Sequence, residues 1–261
     1  MPSYVVTGAS RGIGLGLIQA LSSYESNQVF AIIRDPATAP ALYSLAKTNP
    51  NIHIIIGEVT KPEDMDLAAQ EVAKVTSGKL DVLINNVGGG NNRDMPADYI
   101  GKPSELKAAM LESLDINLFG ALYTTDSFLP LIRAGETKKI ICISTGMADL
   151  DLMLKSEIPF ALGYSMSKSA LNAMVAKYAV QFRGEGIKLL SLSPGWVATH
   201  TGPEADMARE ILLPAFQKVY PELKGQITTE ESIRMQLEVI EKLTLEQSGQ
   251  FLSHHGDKIW V

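Results

Sequence analysis

Short apolar runs alternate with longer segments of helical spacing along almost the whole chain. Residues 3–7, 28–33, 53–56, 80–84, 138–143, 187–192 and 249–253 read as strands, most of them rich in Val, Ile and Leu. The segments at about 15–24, 40–47, 61–76, 104–131, 164–182 and 228–243 read as helices, with a further helical piece at 206–220 between prolines. Thr60 with Glu63, and Thr228 with Glu231, have the spacing of capping boxes that open the third and last of these long helices. Strand and helix alternating in this way predicts an α/β fold: a doubly wound parallel sheet of about seven strands with helices on both faces. Ligands of such sheets bind at the carboxyl ends of the strands.

Several polar groups fall at those ends. Gly8-Ala-Ser10-Arg11-Gly12-Ile13-Gly14 lies between the first strand and the first helix. Glycines there allow tight turns and let phosphates reach backbone N–H groups at a helix N-terminus. The spacing is not that of a Walker-type loop, since no Lys-Ser/Thr follows. Strand two ends in Arg34-Asp35-Pro36. An arginine there accommodates an adenosine 2′-phosphate, and an acid binds the 2′-hydroxyl. Arg34 comes first, and Arg11 is a second cation aimed at the same region. NADP(H) is therefore favoured over NAD(H); the alternative is two solvated arginines, with Asp35 opening a turn. After strand three, Glu58 or the backbone of Val59 would meet an adenine ring, or Glu58 is a solvated loop residue. Asn85, Asn86 and Gly88 follow strand four, where asparagines tie loops together and glycines admit a cofactor.

Ser144 ends strand five, in the ligand position of a parallel sheet or simply as a turn hydroxyl. Tyr164 and Lys168 stand four residues apart on a helix, so their side chains share a face. An ammonium beside a phenol favours the phenolate, so the pair is either a tuned acid–base group or two ordinary residues on a wet helix. Asn117, a mediocre helix former, sits mid-helix as an exposed tolerance or as a placed polar group. Residues 147–162 and 200–226 read as substrate-covering segments. Their apolar residues and a neighbour, Met147, Leu150, Leu152, Met153, Trp196, Met207 and Leu212, suggest a hydrophobic substrate.

The 261 residues are 46% hydrophobic and 20% charged, with a net charge of −6. This is ordinary for a globular chain, and one domain over residues 1–261 is the economical reading. The acidic balance argues against general nucleic-acid or anionic-membrane binding. No apolar stretch approaches a membrane span, and no signal-like segment precedes the first strand. The lone Cys142 permits a reducing compartment, so a cytoplasmic location is expected. His53, His200, His254 and His255 lack ligand spacing, so no metal site is expected, and the His254–His255 pair reads as a surface or interface feature.

Taken together, Thr7-Gly8-Ala-Ser-Arg-Gly12-Ile-Gly14, Asn85-Asn86-Val87-Gly88, Asn117, Ser144, Tyr164-x-x-x-Lys168 and Pro194-Gly195 resemble the short-chain dehydrogenase/reductase family over essentially the full length. The wide serine–tyrosine gap and the Gly-x-Phe-Leu ending are similar to carbonyl reductases of the sniffer-like and fungal ketoreductase type. The resemblance implies a Rossmann-like fold with sheet order 3-2-1-4-5-6-7, and homodimers or homotetramers built on the two long helices. It implies that Tyr164 exchanges the substrate proton, Lys168 lowers the tyrosine pKa and holds the nicotinamide ribose, and Ser144 bonds the substrate oxygen. It also implies that Asn117 holds a relay water, and that Val197 and Thr199 contact the carboxamide. Three departures stand out: Val87 where alanine is usual, Glu58 where aspartate is usual, and the twenty positions from Ser144 to Tyr164. The implied function is NADPH-dependent reduction of a ketone or aldehyde. The alternatives are an NAD-dependent alcohol dehydrogenase, or a non-redox biosynthetic or dinucleotide-sensing protein on the same fold.

Overall fold

Seven parallel strands form the centre of the protein in a computed structural model that describes residues 1–91, 93–199 and 203–261, with backbone only for 203–208. In chain order these are β1 (Ser3–Thr7), β2 (Gln28–Ile33), β3 (Ile52–Ile56), β4 (Val82–Asn85), β5 (Lys139–Ile143), β6 (Lys188–Ser193) and β7 (Phe251–Ser253). Their order across the sheet is β3-β2-β1-β4-β5-β6-β7, as the resemblance implied. The chain reverses direction across the sheet between β1 and β4, and it is beside such a switch point that a crevice opens.

Side chains alternate between the two faces of each strand, and both faces are apolar. Phe30, Ile32, Ile140 and Cys142 face one way. There they meet α3 (Pro62–Thr76), α5 (Gly120–Ala134) and α7 (Leu162–Phe182). Val29, Ala31, Ile33, Ile141 and Ile143 face the other way, against α1 (Gly12–Ser22), α2 (Pro40–Thr48) and α9 (Thr229–Lys242). The remaining helices are α4 (Pro103–Leu114), α6 (Leu150–Ser156) and α8 (Pro203–Gln217). A third, smaller apolar cluster is built around Leu152, Phe216 and Trp260.

Some elements differ from the sequence reading. The Thr228–Glu231 capping box forms, but the Thr60–Glu63 box does not. Pro62 occupies the first helical position and holds Lys61, the residue before it, extended as the N-cap. The helix expected over 104–131 is broken by a π-helical turn at Asp115–Phe119 between α4 and α5. Residues 147–162 are not irregular throughout: Asp149 accepts from Leu152 N at 2.9 Å and caps α6. Strand four starts at Val82 rather than Leu80, because the Leu80 N–H is drawn to Leu131 O at 2.9 Å. No described helix is long and apolar enough to cross a membrane.

Candidate active site

The glycine loop is built by close approach. Gly8 and Gly12 have φ of 66° and 56°, a region costly for residues with a Cβ. A Cβ at Gly14 would overlap the Gly8 carbonyl oxygen and lie 2.7 Å from Asn86 Nδ2. Asn86 Nδ2 donates to Thr7 O and Gly8 O at 2.9 and 3.2 Å, and the Thr7 hydroxyl accepts from Asn86 N at 3.0 Å. The two loops beside the switch point are thereby tied together, with Ser10 and Ile13 half-buried at the rim. No side chain caps the N-terminus of α1, so its first N–H groups are left for an anion. Thr199 closes over this loop from the other side, 3.8 Å from where a Gly12 Cβ would stand. Val197 is buried and bridges Ile227, which brings the segment after β6 across the crevice. These residues fit the pyrophosphate and nicotinamide ends of a dinucleotide.

At the adenosine end, Arg34 is 79% exposed and its Nη1 pairs with Glu58 Oε2 at 3.4 Å. Arg11 is also exposed. The Glu58 backbone N–H donates to Asp64 Oδ2 at 2.9 Å. The Val59 side chain is turned inward against Gly120, where a Cβ would lie 2.8 Å from Val59 Cγ2. The Val59 side chain is therefore turned away from the crevice, and only its backbone faces it.

At the nicotinamide end, Lys168 is buried and its Nζ donates to Ile143 O at 2.8 Å. A Cβ on Gly88 would stand 3.1 Å from that Nζ and 3.4 Å from Asn117 Oδ1, so the loop passes close to both. Asn117, buried in the π turn, donates from Nδ2 to Gly89 O, Ser113 O and Ser167 Oγ at 2.7, 3.0 and 3.0 Å, and Oδ1 accepts from Gly89 N at 3.1 Å. It is a placed polar group that joins α4, the loop after β4 and α7.

Burial pushes the Tyr164 phenol above its usual pKa, opposed by a hydrogen bond with the Thr145 hydroxyl. Burial likewise lowers Lys168 to about 8, with Cys142 opposing. The Lys168 ammonium is turned to the Ile143 carbonyl.

Two expected placements are corrected. Ser144 does not turn to Tyr164; its hydroxyl donates to Asn172 Oδ1 at 2.7 Å, on the buried face of α7. Strand alternation explains this: Ser144 continues the Ile140–Cys142 face, which packs on α7 below the site. His254 is not a surface residue. It is 1% exposed, and its ring fills the space a Cβ on Gly195 would need, within 2.7 Å at Cε1. Gly195 has φ of 87°, and Pro194 O accepts from Ser232 Oγ at 2.6 Å, so the turn after β6 is seated from below. His254, whose ring seats the Gly195 turn, was the residue sequence reasoning missed, and no local signal marked it.

Of the apolar residues expected near the substrate, Leu152 is buried in the third cluster, with Met147, Trp196 and Leu212 packed on it. Leu150 is exposed. The Met207 side chain and His200 lie outside the described residues. Among the described residues, no group of three or more His, Cys, Asp or Glu side chains is placed to hold a metal ion.

The chain resembles known proteins in the same terms. The profile of the family described as short chain dehydrogenase matches residues 3–209. The short-chain dehydrogenase/reductase atnB of Arthrinium sp is 45% identical, with 100% of each chain covered. Among solved structures, the NADPH-bound carbonyl reductase from chicken fatty liver is 31% identical, with 98% of each chain covered and a TM-score of 0.81. The carbonyl reductase Sniffer of D. melanogaster is 26% identical, again over 98% of each chain, with a TM-score of 0.80. The glycine loop at the switch point, the Tyr164–Lys168 pair on α7 and these likenesses agree: the chain belongs to the short-chain dehydrogenase/reductase family, enzymes that work with a nicotinamide dinucleotide.

Proposed function

We propose that this enzyme is an NADPH-dependent carbonyl reductase in which Tyr164 delivers the proton. The observation that carries this reading is the meeting of Lys168, Asn117 and Gly88 beside the carboxyl ends of the strands, with Tyr164 one turn earlier than Lys168 on the same face of α7 and Arg34 exposed at the end of β2. NADPH, when bound, supplies the hydride. Gly8, Ser10, Gly12, Ile13 and Gly14 hold the pyrophosphate at the N-terminus of α1. Asn86 and Gly88 shape the floor. Pro194, Gly195, Val197 and Thr199 close over the nicotinamide. Arg34 and Arg11 receive the 2′-phosphate.

A phenol held above its usual pKa stays protonated at neutral pH, which suits an acid. Lys168 is positive below about 8 and stands on the same helix face as the phenol, so it favours the phenolate left after the proton departs. The apolar cluster of Met147, Leu152, Trp196 and Leu212 beside this end favours a hydrophobic carbonyl compound. That the chicken fatty liver enzyme is described as NADPH-bound supports the cofactor choice.

The test follows loss of reduced-cofactor absorbance over a panel of ketones and aldehydes. Tyr164→Phe is expected to lower kcat by at least about 100-fold, the usual worth of a placed acid, while NADPH binding persists. Turnover at the parental rate in that variant would remove Tyr164 from the mechanism. Arg34→Ala is expected to weaken NADPH by about tenfold and NADH little, the scale of a charge-assisted contact discounted for its exposure. Equal losses for the two cofactors would defeat the phosphate assignment.

A further inference from the structure

We propose that His254 and Ser232 are positioning residues for the nicotinamide half of the cofactor. They fix the height of the Pro194–Gly195 turn, and through it the placement of the ring that gives up the hydride. The inference rests on the reading above that residues 194–199 close over the nicotinamide.

Gly195 has φ of 87°. A Cβ there would fall 2.7 Å from His254 Cε1, 2.9 Å from Nε2 and 3.0 Å from Nδ1. Three ring atoms lie at nearly one distance from one point, so the imidazole lies flat against the turn and does not point at it. Neither ring nitrogen has a hydrogen-bond partner among the described residues, so the ring acts on the turn by its thickness. Its own position is fixed by the chain that carries it. Ser253 pairs with Ser193 in the sheet, which sets His254 beside Pro194. Ser253 N donates to Asp257 O at 2.7 Å, Ser253 Oγ to Asp257 Oδ1 at 2.7 Å and Gly256 N to Ser253 O at 2.8 Å. His255 N closes on Ser253 Oγ at 3.1 Å. His254 is thus mounted on a tight turn tied to the sheet.

Ser232 acts from a second direction. Its hydroxyl donates to Pro194 O at 2.6 Å and accepts from Gln236 Nε2 at 2.8 Å. Ser232 and Gln236 are both fully buried. The hydroxyl draws the turn down, and the imidazole holds it up. A turn held by an attraction at one carbonyl and a hard contact at the next residue has one height rather than a range, because a close-packed interior yields little.

The far end of the same segment is held by the start of α9. Val197 bridges Ile227, Ala198 N donates to Ile227 O at 2.9 Å, and Ile227 N donates to Trp196 O at 3.0 Å. Ile227 immediately precedes Thr228, the N-cap of α9. The helix is itself packed on α1, where a Cβ on Gly16 would overlap Ile233 Cδ1. Since α1 follows the glycine loop, the pyrophosphate and nicotinamide ends of the site share one frame. Hydride transfer is sensitive to the approach of donor and acceptor, and a misplacement of about 1 Å caused from outside the site can cost about 100-fold. His254 and Ser232 act on that approach only through Gly195 and Pro194.

The experiment compares His254→Ala and Ser232→Ala with the parental enzyme. Two probes are titrated by calorimetry: NADPH, and 2′-phospho-ADP-ribose, which lacks the nicotinamide. H254A is expected to bind NADPH about tenfold more weakly, with a kcat loss of about tenfold or more on a panel of aldehydes and ketones. S232A should bind NADPH about fivefold more weakly, the scale of one lost hydrogen bond. In both variants the fragment should bind within about twofold of the parental affinity, since the adenosine and pyrophosphate contacts are untouched. A merely structural role would weaken the two probes alike. Parental NADPH affinity in a variant overturns the assignment of that residue, and equal losses of NADPH and fragment in both variants overturn the proposal. Where H254A binds neither probe, S232A, which removes a single oxygen atom, decides between these results. A parental enzyme that binds the fragment as tightly as NADPH instead overturns the placement of the nicotinamide under residues 194–199, and one that binds neither overturns the cofactor reading.

Discussion

Lys168 is a buried amine with a pKa pulled to about 8, and His254 is a buried imidazole pulled to about 4; both respond to pH, in different ways. On the proposed mechanism Lys168 acts on catalysis: its positive charge favours the departing proton of Tyr164, and that charge is lost as pH rises through about 8. The kcat for reduction should therefore be level below that value and fall above it, with the break absent in Lys168→Met. His254 acts on stability. Burial holds its pKa down, the neighbouring His255 adds to this and Asp257 opposes it. The unfolded chain takes up the proton near the ordinary histidine value of 6.5, while the folded chain resists until about 4. Stability is thus full above about 6.5 and declines as pH falls towards 4, by up to about 3 kcal/mol at 1.36 kcal/mol per unit. Thermal unfolding at neutral and mildly acid pH measures this; His254→Asn should flatten the acid decline. Neither environment was legible in the sequence, which offered a lysine in a motif and a histidine pair. Burial requires the sheet, α7 and the Gly195 turn together.

The glycine loop and the interrupted helix show what could and could not be read within one element. Strand, glycines and helix in succession were enough to predict the tight glycine loop between β1 and α1, because each glycine answers a local demand for positive φ or close approach. Gly14 answers the strictest one, since its neighbour there is the backbone carbonyl of Gly8. Gly14→Ala should cost about 1–3 kcal/mol of stability from overpacking and weaken NADPH at least tenfold, by denaturant titration and cofactor fluorescence. The helix over 104–131 was equally plain from periodicity, but the π turn inside it was not. One turn of wider winding does not disturb the apolar pattern enough to register. Its cause is tertiary: Asn117 makes contacts to Gly89, Ser113 and Ser167 that a regular turn need not serve. Asn117→Ala should leave the Gly89 N–H short of its acceptor and cost about 1–3 kcal/mol, with a loss of kcat beyond any loss of NADPH binding.

Across the molecule, Trp260 joins parts far apart in the chain. Its ring stacks on Phe251 with centroids 4.2 Å apart and lies under Gly146, and its backbone N–H donates to the Tyr220 hydroxyl at 3.2 Å. The segment after α8, the last strand and the turn carrying Thr145 are packed on one ring. Trp260→Ala should raise KM more than it lowers NADPH affinity, and Trp260→Phe should restore most of the difference; steady-state kinetics on the two variants checks this. The strand count, the glycine loop and the Tyr164–Lys168 pair were readable from residue order, because each rests on short-range periodicity or on residues a few positions apart; the sheet order came only from the family resemblance. Which way Ser144 turns, where Lys168 and His254 are desolvated, why a helix widens at Asn117 and what seats the Gly146 turn were settled only by packing. Those properties depend on which side of a strand faces which helix, and on how much water is excluded between segments distant in the chain.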